Sequence, residues 1–140
     1  MKPAAAILIA LGLSACSAYP PPEPGPPLPP PPPSGAALAG ADCFRTSDIR
    51  NHTIVNSQTL MIRVNRGEVY RVTMAGACLA GAISSDPLIM RQPPGSPIVC
   101  RPLDLDIGVA KGGMDTRCIV DSIVRASPAE VEALPRRLRP

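Results

Sequence analysis

From Leu60 onward the apolar residues of this chain recur at every second position, the period of a half-buried β-strand. Leu60, Ile62 and Val64 alternate with Met61 and Arg63, and Tyr70, Val72 and Met74 alternate with Arg71 and Thr73. Between the two runs, Asn65-Arg66-Gly67-Glu68 offers a glycine able to take positive φ, which predicts a β-hairpin. A second set comes later, with Leu103, Leu105, Ile107 and Val109 alternating with Asp104, Asp106 and Gly108. Lys111-Gly112-Gly113 then predicts a turn into a strand over residues 117–124. Shorter strands are predicted over residues 49–55, 88–91 and 98–100. The loop of residues 91–97, bounded by Arg91 and Pro97, contains prolines that cannot donate to a ladder.

The period changes once, near the C-terminus. Ser127-Pro128-Ala129-Glu130 places a capping serine, a proline at the first helical position and a glutamate three after the cap. Glu130 and Glu132 favour the positive end of the helix dipole. Pro135 ends the helix, which is predicted near residues 128–134 and must dock through Val131 and Leu134. These signals define a mainly β domain over residues 41–140: a small antiparallel barrel or sandwich of five to six strands with one short C-terminal helix.

Before that domain the pattern is of another kind. Met1-Lys2 supplies a positive charge, residues 4–13 an apolar run, and Ser14-Ala15 a small pair directly before Cys16. The run is shorter than the roughly 20 residues a membrane-spanning helix needs. Leu13-Ser14-Ala15-Cys16 resembles the lipobox of bacterial lipoproteins. That resemblance implies a signal peptide of residues 1–15, cleavage before Cys16 and acylation of Cys16, palmitate included. Ser17, rather than aspartate, then implies sorting to the outer membrane, on its periplasmic face. An ordinary secretory signal cleaved near Ala15 or Ala18 is the alternative. One acyl chain holds weakly, and two or more hold firmly.

Residues 16–40 read as a disordered linker. The stretch YPPPEPGPPLPPPPP of residues 19–33 fixes φ and removes donors, so neither helix nor ladder can form there. Polyproline II rises about 3.1 Å per residue, giving roughly 40 Å from Pro20 to Pro33. A spacer is the favoured reading over a ligand for proline-recognising modules.

Composition adds two constraints. Phe44 and Tyr70 are the only aromatics of residues 41–140, so packing must come from aliphatic side chains and cross-links. Four cysteines remain once Cys16 is spent on lipid: Cys43, Cys78, Cys100 and Cys118. An even number in a small exported domain predicts disulfides. Zinc is the lesser alternative, because no close cysteine pair occurs and His52 is the single histidine. Three pairings are open; the nested one, Cys43–Cys118 with Cys78–Cys100, is the expectation, with the first and last strands side by side.

Candidate chemistry is sparse. Asp104 and Asp106 share a predicted strand face, where they either take solvent or present two carboxylates to a cation or an acid/base reaction. His52 reads as a surface or hydrogen-bonding residue. No nucleophile-elbow, zinc-protease or phosphate-loop pattern occurs, and the Lys111 turn lacks the glycine spacing of the last. No catalytic residue, metal site or cofactor is assigned. The net charge is +3, with Arg136, Arg137 and Arg139 clustered at the end, either a solvated tail or a contact for anionic headgroups. Nucleic acid is not an expected partner, since stacking aromatics are lacking.

Cys43 with Ile49, Thr59-Leu60, Gly67-x-x-Tyr70, Cys78, Cys100 with a following aspartate, and Cys118-x-x-x-x-Ile123 resemble a family of small exported proteins whose domain has no known function. In the family pattern the aspartate follows the third cysteine more closely than Asp104 or Asp106 do here. The resemblance implies a fold and no biochemistry. The resulting expectation is a non-enzymatic, lipid-anchored periplasmic module that binds an envelope protein or cell-wall polymer. The alternatives are a small envelope hydrolase using Asp104 and Asp106, and an inhibitor or assembly factor presenting loop 91–97.

Overall fold

A computed structural model describes residues 29–91 and 97–140. The signal segment, Cys16, the first part of the linker and the interior of loop 91–97 lie outside the described residues. Among the described residues the chain forms β1 (Phe44–Arg45), β2 (Ile49–Ile54), β3 (Thr59–Val64), β4 (Val69–Met74), β5 (Leu88–Arg91), β6 (Ile98–Val99), β7 (Asp106–Lys111), β8 (Met114–Cys118) and β9 (Val120–Arg125). A single α-helix, α1 (Pro128–Ala133), comes after them.

The strands make three antiparallel sheets, ordered β2-β3-β4-β9, β5-β7-β8 and β1-β6. The domain is mainly β, as the period of two requires, but no single sheet closes into a barrel. The predicted hairpin is β3-β4, with Leu60 opposite Val72 and Ile62 opposite Tyr70. Gly67 sits at φ 85° in its turn, and Gly112 and Gly113 sit at φ 57° and 80° between β7 and β8. Side chains at those positive φ values would be strained, so the turns form where the sequence supplies glycine.

One face of the four-stranded sheet and the inner face of the three-stranded sheet share a core. Leu60, Ile62, Val72 and Ile123 pack there with Ile107, Val109 and Cys118. Phe44 and Tyr70 pack in the same core with ring centroids 4.6 Å apart. The Tyr70 hydroxyl donates to the Asp42 carbonyl at 2.9 Å, which satisfies its polar tip. The opposite face of the same sheet is covered too. Met61 and Val69 are buried there under Leu134, Val131 and Leu138. This is why Met61, on the nominally polar side of β3, is only 1 % exposed.

Helix α1 starts as its sequence dictates. Ser127 Oγ accepts the Glu130 N–H at 3.1 Å, and Pro128 occupies the first turn. At the other end the exposed Arg139 donates to the carbonyls of Leu134 at 3.0 Å and Glu132 at 2.5 Å, so this arginine folds back onto the helix end.

All four domain cysteines are paired, but as Cys43–Cys100 and Cys78–Cys118, in place of the nested Cys43–Cys118 and Cys78–Cys100. The reason lies in the ladders. Strand β1 pairs with β6, Phe44 opposite Val99, which puts Cys43 and Cys100 across from one another with Cα atoms 4.7 Å apart. The last strand, β9, pairs with β4 and not with β1. Cys118 ends β8 facing the core, where it meets Cys78 from the segment after β4.

Two further expectations are corrected. The strand predicted over 117–124 is two strands in different sheets, with Ile119 as the single residue between them. The linker predicted to reach residue 40 joins the fold earlier. Gly35 N–H donates to the Asp121 carbonyl at 3.0 Å, Ile123 N–H to Ala36 at 2.9 Å, and Leu38 N–H to Cys100 at 2.8 Å. Strand β9 is the end strand of its sheet, and the bonds at Asp121 and Ile123 cover part of its open edge.

Candidate docking surface

The segment after Cys100 builds the most distinctive surface of the molecule. Pro102–Asp104 forms one 3-10 turn, with proline at its start. The Asp104 carboxylate accepts the backbone N–H of Arg101 at 2.8 Å and of Cys100 at 3.2 Å. It also accepts the Arg101 guanidinium at 3.0 Å. The Arg101 side-chain hydrogen bond holds the Asp104 carboxyl below the usual carboxylate range against the opposing effect of burial, with the backbone donors adding to it. With the turn held in this way, Leu103 points outward and is 85 % exposed.

Ile119 stands on the other side. Its neighbours Cys118 and Val120 are both buried, so in extended chain the residue between them must face away, and it is 74 % exposed. Its carbonyl accepts the Ala75 N–H at 2.9 Å, which fixes the crossover. Leu103 and Ile119 line one open cleft of ≈ 430 Å³ together with Arg101, Pro102, Gly35 and Asp121. Cys100 and Cys118 immediately precede its two key segments, so one cysteine from each disulfide anchors the cleft.

The structure separates the carboxylates that the sequence places on one strand face. Asp104 belongs to the turn before β7, whereas Asp106 is the first residue of β7. Asp106 pairs with Arg117 at 2.5 Å and Arg91 at 3.7 Å, and Arg91 also pairs with Asp115. That network lies on the outer face of the three-stranded sheet. The correction has a simple cause: Pro102 starts a turn that interrupts the alternation, so Leu103 and Asp104 never join the strand.

His52 on β2 has its Nε2 3.2 Å from the Asp86 carbonyl. Burial lowers its pKa from the usual imidazole value, and the bond to Asp86 partly opposes that shift. Among the described residues, no group of three or more His, Cys, Asp or Glu side chains is arranged to hold a metal ion. Nor does any described helix have the length and apolarity to cross a membrane. Of loop 91–97 the described residues are its ends: Arg91 closes β5, and the Pro97 carbonyl accepts the Thr46 N–H at 3.0 Å.

Leu103 and Ile119 are functional candidates that the period-two reading passed over. The Pro102-to-Asp104 spacing is a turn signal, and three apolar residues in a row at 118–120 leave one without a place in the core. Comparisons of the chain with protein-family models, curated protein sequences and solved structures return no match.

Proposed function

We propose that this chain is a lipid-anchored module of the outer membrane, tethered through Cys16 on the periplasmic face, that binds an envelope protein without catalysing a reaction on it. The observation that carries the binding reading is the exposed pair Leu103 and Ile119, set in one cleft beside a cysteine of each disulfide. Exposed aliphatic side chains gathered on a rigid frame mark contact surfaces. A protein suits this surface better than a cell-wall polymer, because Phe44 and Tyr70 are both buried and leave the domain no aromatic face to stack on a sugar ring. The pairing of all four domain cysteines supports export, since such bridges persist in oxidising compartments. The Leu13-to-Cys16 motif supports the anchor.

The experiment is site-specific photocrosslinking in intact cells, with the crosslinker at Ile119 and, as a control, at the exposed Arg66 on the hairpin turn. A discrete adduct from Ile119, absent from Arg66 and lost when Leu103→Asp is added, is the expected result. Equal adducts from both positions, or none from Ile119, overturn the binding reading. The anchor is tested separately: Cys16→Ser is expected to leave the membrane fraction, and retention through detergent-free washing overturns lipidation.

A further inference from the structure

The proline run ends against the domain. Pro29, Pro30 and Pro31 form one wall of a second cleft, of ≈ 360 Å³, whose remaining lining includes Val55, Met61, Thr73 and Leu134. Met61 and Leu134 are buried at its floor, at 1 % and 2 % exposure. The rim carries donors. Arg71 Nη1 donates to the Pro29 carbonyl at 3.4 Å, its Nε is buried with no acceptor, and Asn56 and Gln58 stand nearby. Polyproline II chain has carbonyls with no internal partner, so an apolar floor edged by arginine and amide donors complements it.

The residue before Pro29 is Leu28, which lies outside the described residues. Within residues 20–33 it is the one large aliphatic side chain in a run of prolines broken only by Glu23 and Gly25. Consecutive Cα atoms are about 3.8 Å apart, so Leu28 is delivered to the cleft by connectivity, with no loop to close. We propose that this cleft is a receptor for an aliphatic-polyproline segment, filled in cis by Leu28 and the prolines beside it. The arm is then a strap laid across β3, β4 and α1. If Cys16 carries the lipid, the strap also sets the stand-off: the 13 residues from Cys16 to Pro29 reach about 40 Å. The docking itself does not depend on lipidation.

The test uses the full chain and methyl NMR. Leu28→Ala is expected to lower the melting temperature by several degrees and to shift the Met61 and Leu134 methyl signals. Those of Ile107 and Val109, in the core on the other side of the sheet, should stay in place. In a second variant residues 24–31 are replaced by glycine and serine at equal length. A synthetic peptide of residues 22–33 is expected to bind that variant saturably and restore the Met61 and Leu134 signals, while the same peptide carrying Leu28→Ala does not. Either of two results overturns the proposal. One is a Leu28→Ala protein that melts like the wild type with unshifted Met61 and Leu134 methyls; the other is a wild-type peptide that fails to saturate the replaced-arm variant.

Discussion

Arg71 on β4 and Glu130 on α1 stand 3.1 Å apart, with 13 % and 10 % of their side chains exposed. The pair joins the helix to the sheet it covers, beside the apolar floor of Met61 and Leu134. A pair this deep has given up most of its hydration. Its net attraction is therefore small, and the larger effect is the penalty of leaving one charge buried without its partner.

Removing one charge is accordingly expected to hurt more than removing both. Glu130→Leu should destabilise the domain by about 2 kcal/mol or more, somewhat below the ~3–5 kcal/mol of a fully buried pair. The double variant Arg71→Met with Glu130→Leu should recover most of that loss. Urea denaturation of the three proteins decides it; a double variant worse than the single shows a pair that is net stabilising.

Gly108 makes room for the ion-pair network of the three-stranded sheet. A Cβ there would lie 2.7 Å from the Thr116 carbonyl oxygen and 2.9 Å from Asp115 Oδ1, with Arg91 Nη1 at 3.4 Å. The nearest obstacle is backbone, which cannot swing aside. Gly108→Ala is expected to cost about 1–3 kcal/mol through overpacking. Gly76→Ala, with nothing within 4 Å of the added carbon, is the matched control. Equal melting temperatures for the two would show that β8 shifts freely.

Acid should weaken the fold in two separable stages. His52 is shifted down by burial, and Asp104 is shifted down chiefly by its hydrogen bond to Arg101. Each therefore binds protons less readily in the folded chain than in the unfolded one, so acidification favours unfolding. The His52 contribution is intact above about 6.5 and declines as pH falls to its lower folded value. The Asp104 contribution is intact above about 3.9 and declines below that. Unfolding free energies measured across this range should lose the upper step in His52→Gln and the lower step in Asp104→Asn. A step that survives its own variant belongs to another group.

Local signals were legible where neighbours in sequence decide the outcome. The hairpin of β3 and β4 follows from alternation plus Gly67, and α1 follows from Ser127, Pro128 and Glu130. The split between β8 and β9 was not legible as alternation, because a residue that changes sheets keeps extended backbone and only its ladder partner changes. The same applies to the cysteines. Their pairing depends on β1 meeting β6, two strands of two residues each, too short to announce a partner. For the candidate site, alternation puts Asp104 on a strand face, which Pro102 prevents. Its carboxylate is a turn cap, and the residue it positions, Leu103, is the exposed one.

The interleaved bridges set the last expectation. The two loops span 57 and 40 residues, for which chain entropy gives about 4.2 and 3.9 kcal/mol. Global stability thus barely distinguishes the bridges, and because the loops overlap over residues 78–100 their losses should not add. Position distinguishes them instead. Cys100 leads directly into Arg101 and the turn that exposes Leu103, whereas Cys118 leads into Ile119. Replacing Cys43 and Cys100 with alanine should therefore loosen the Leu103 wall, and replacing Cys78 and Cys118 should loosen the Ile119 wall. Hydrogen exchange is the measurement: the first variant should lose protection at Leu105 N–H, which donates to the Pro102 carbonyl, and the second at Ala75 N–H, which donates to Ile119. Loss of both amides' protection in both variants would mean that the bridges hold the cleft as one unit and not as two walls.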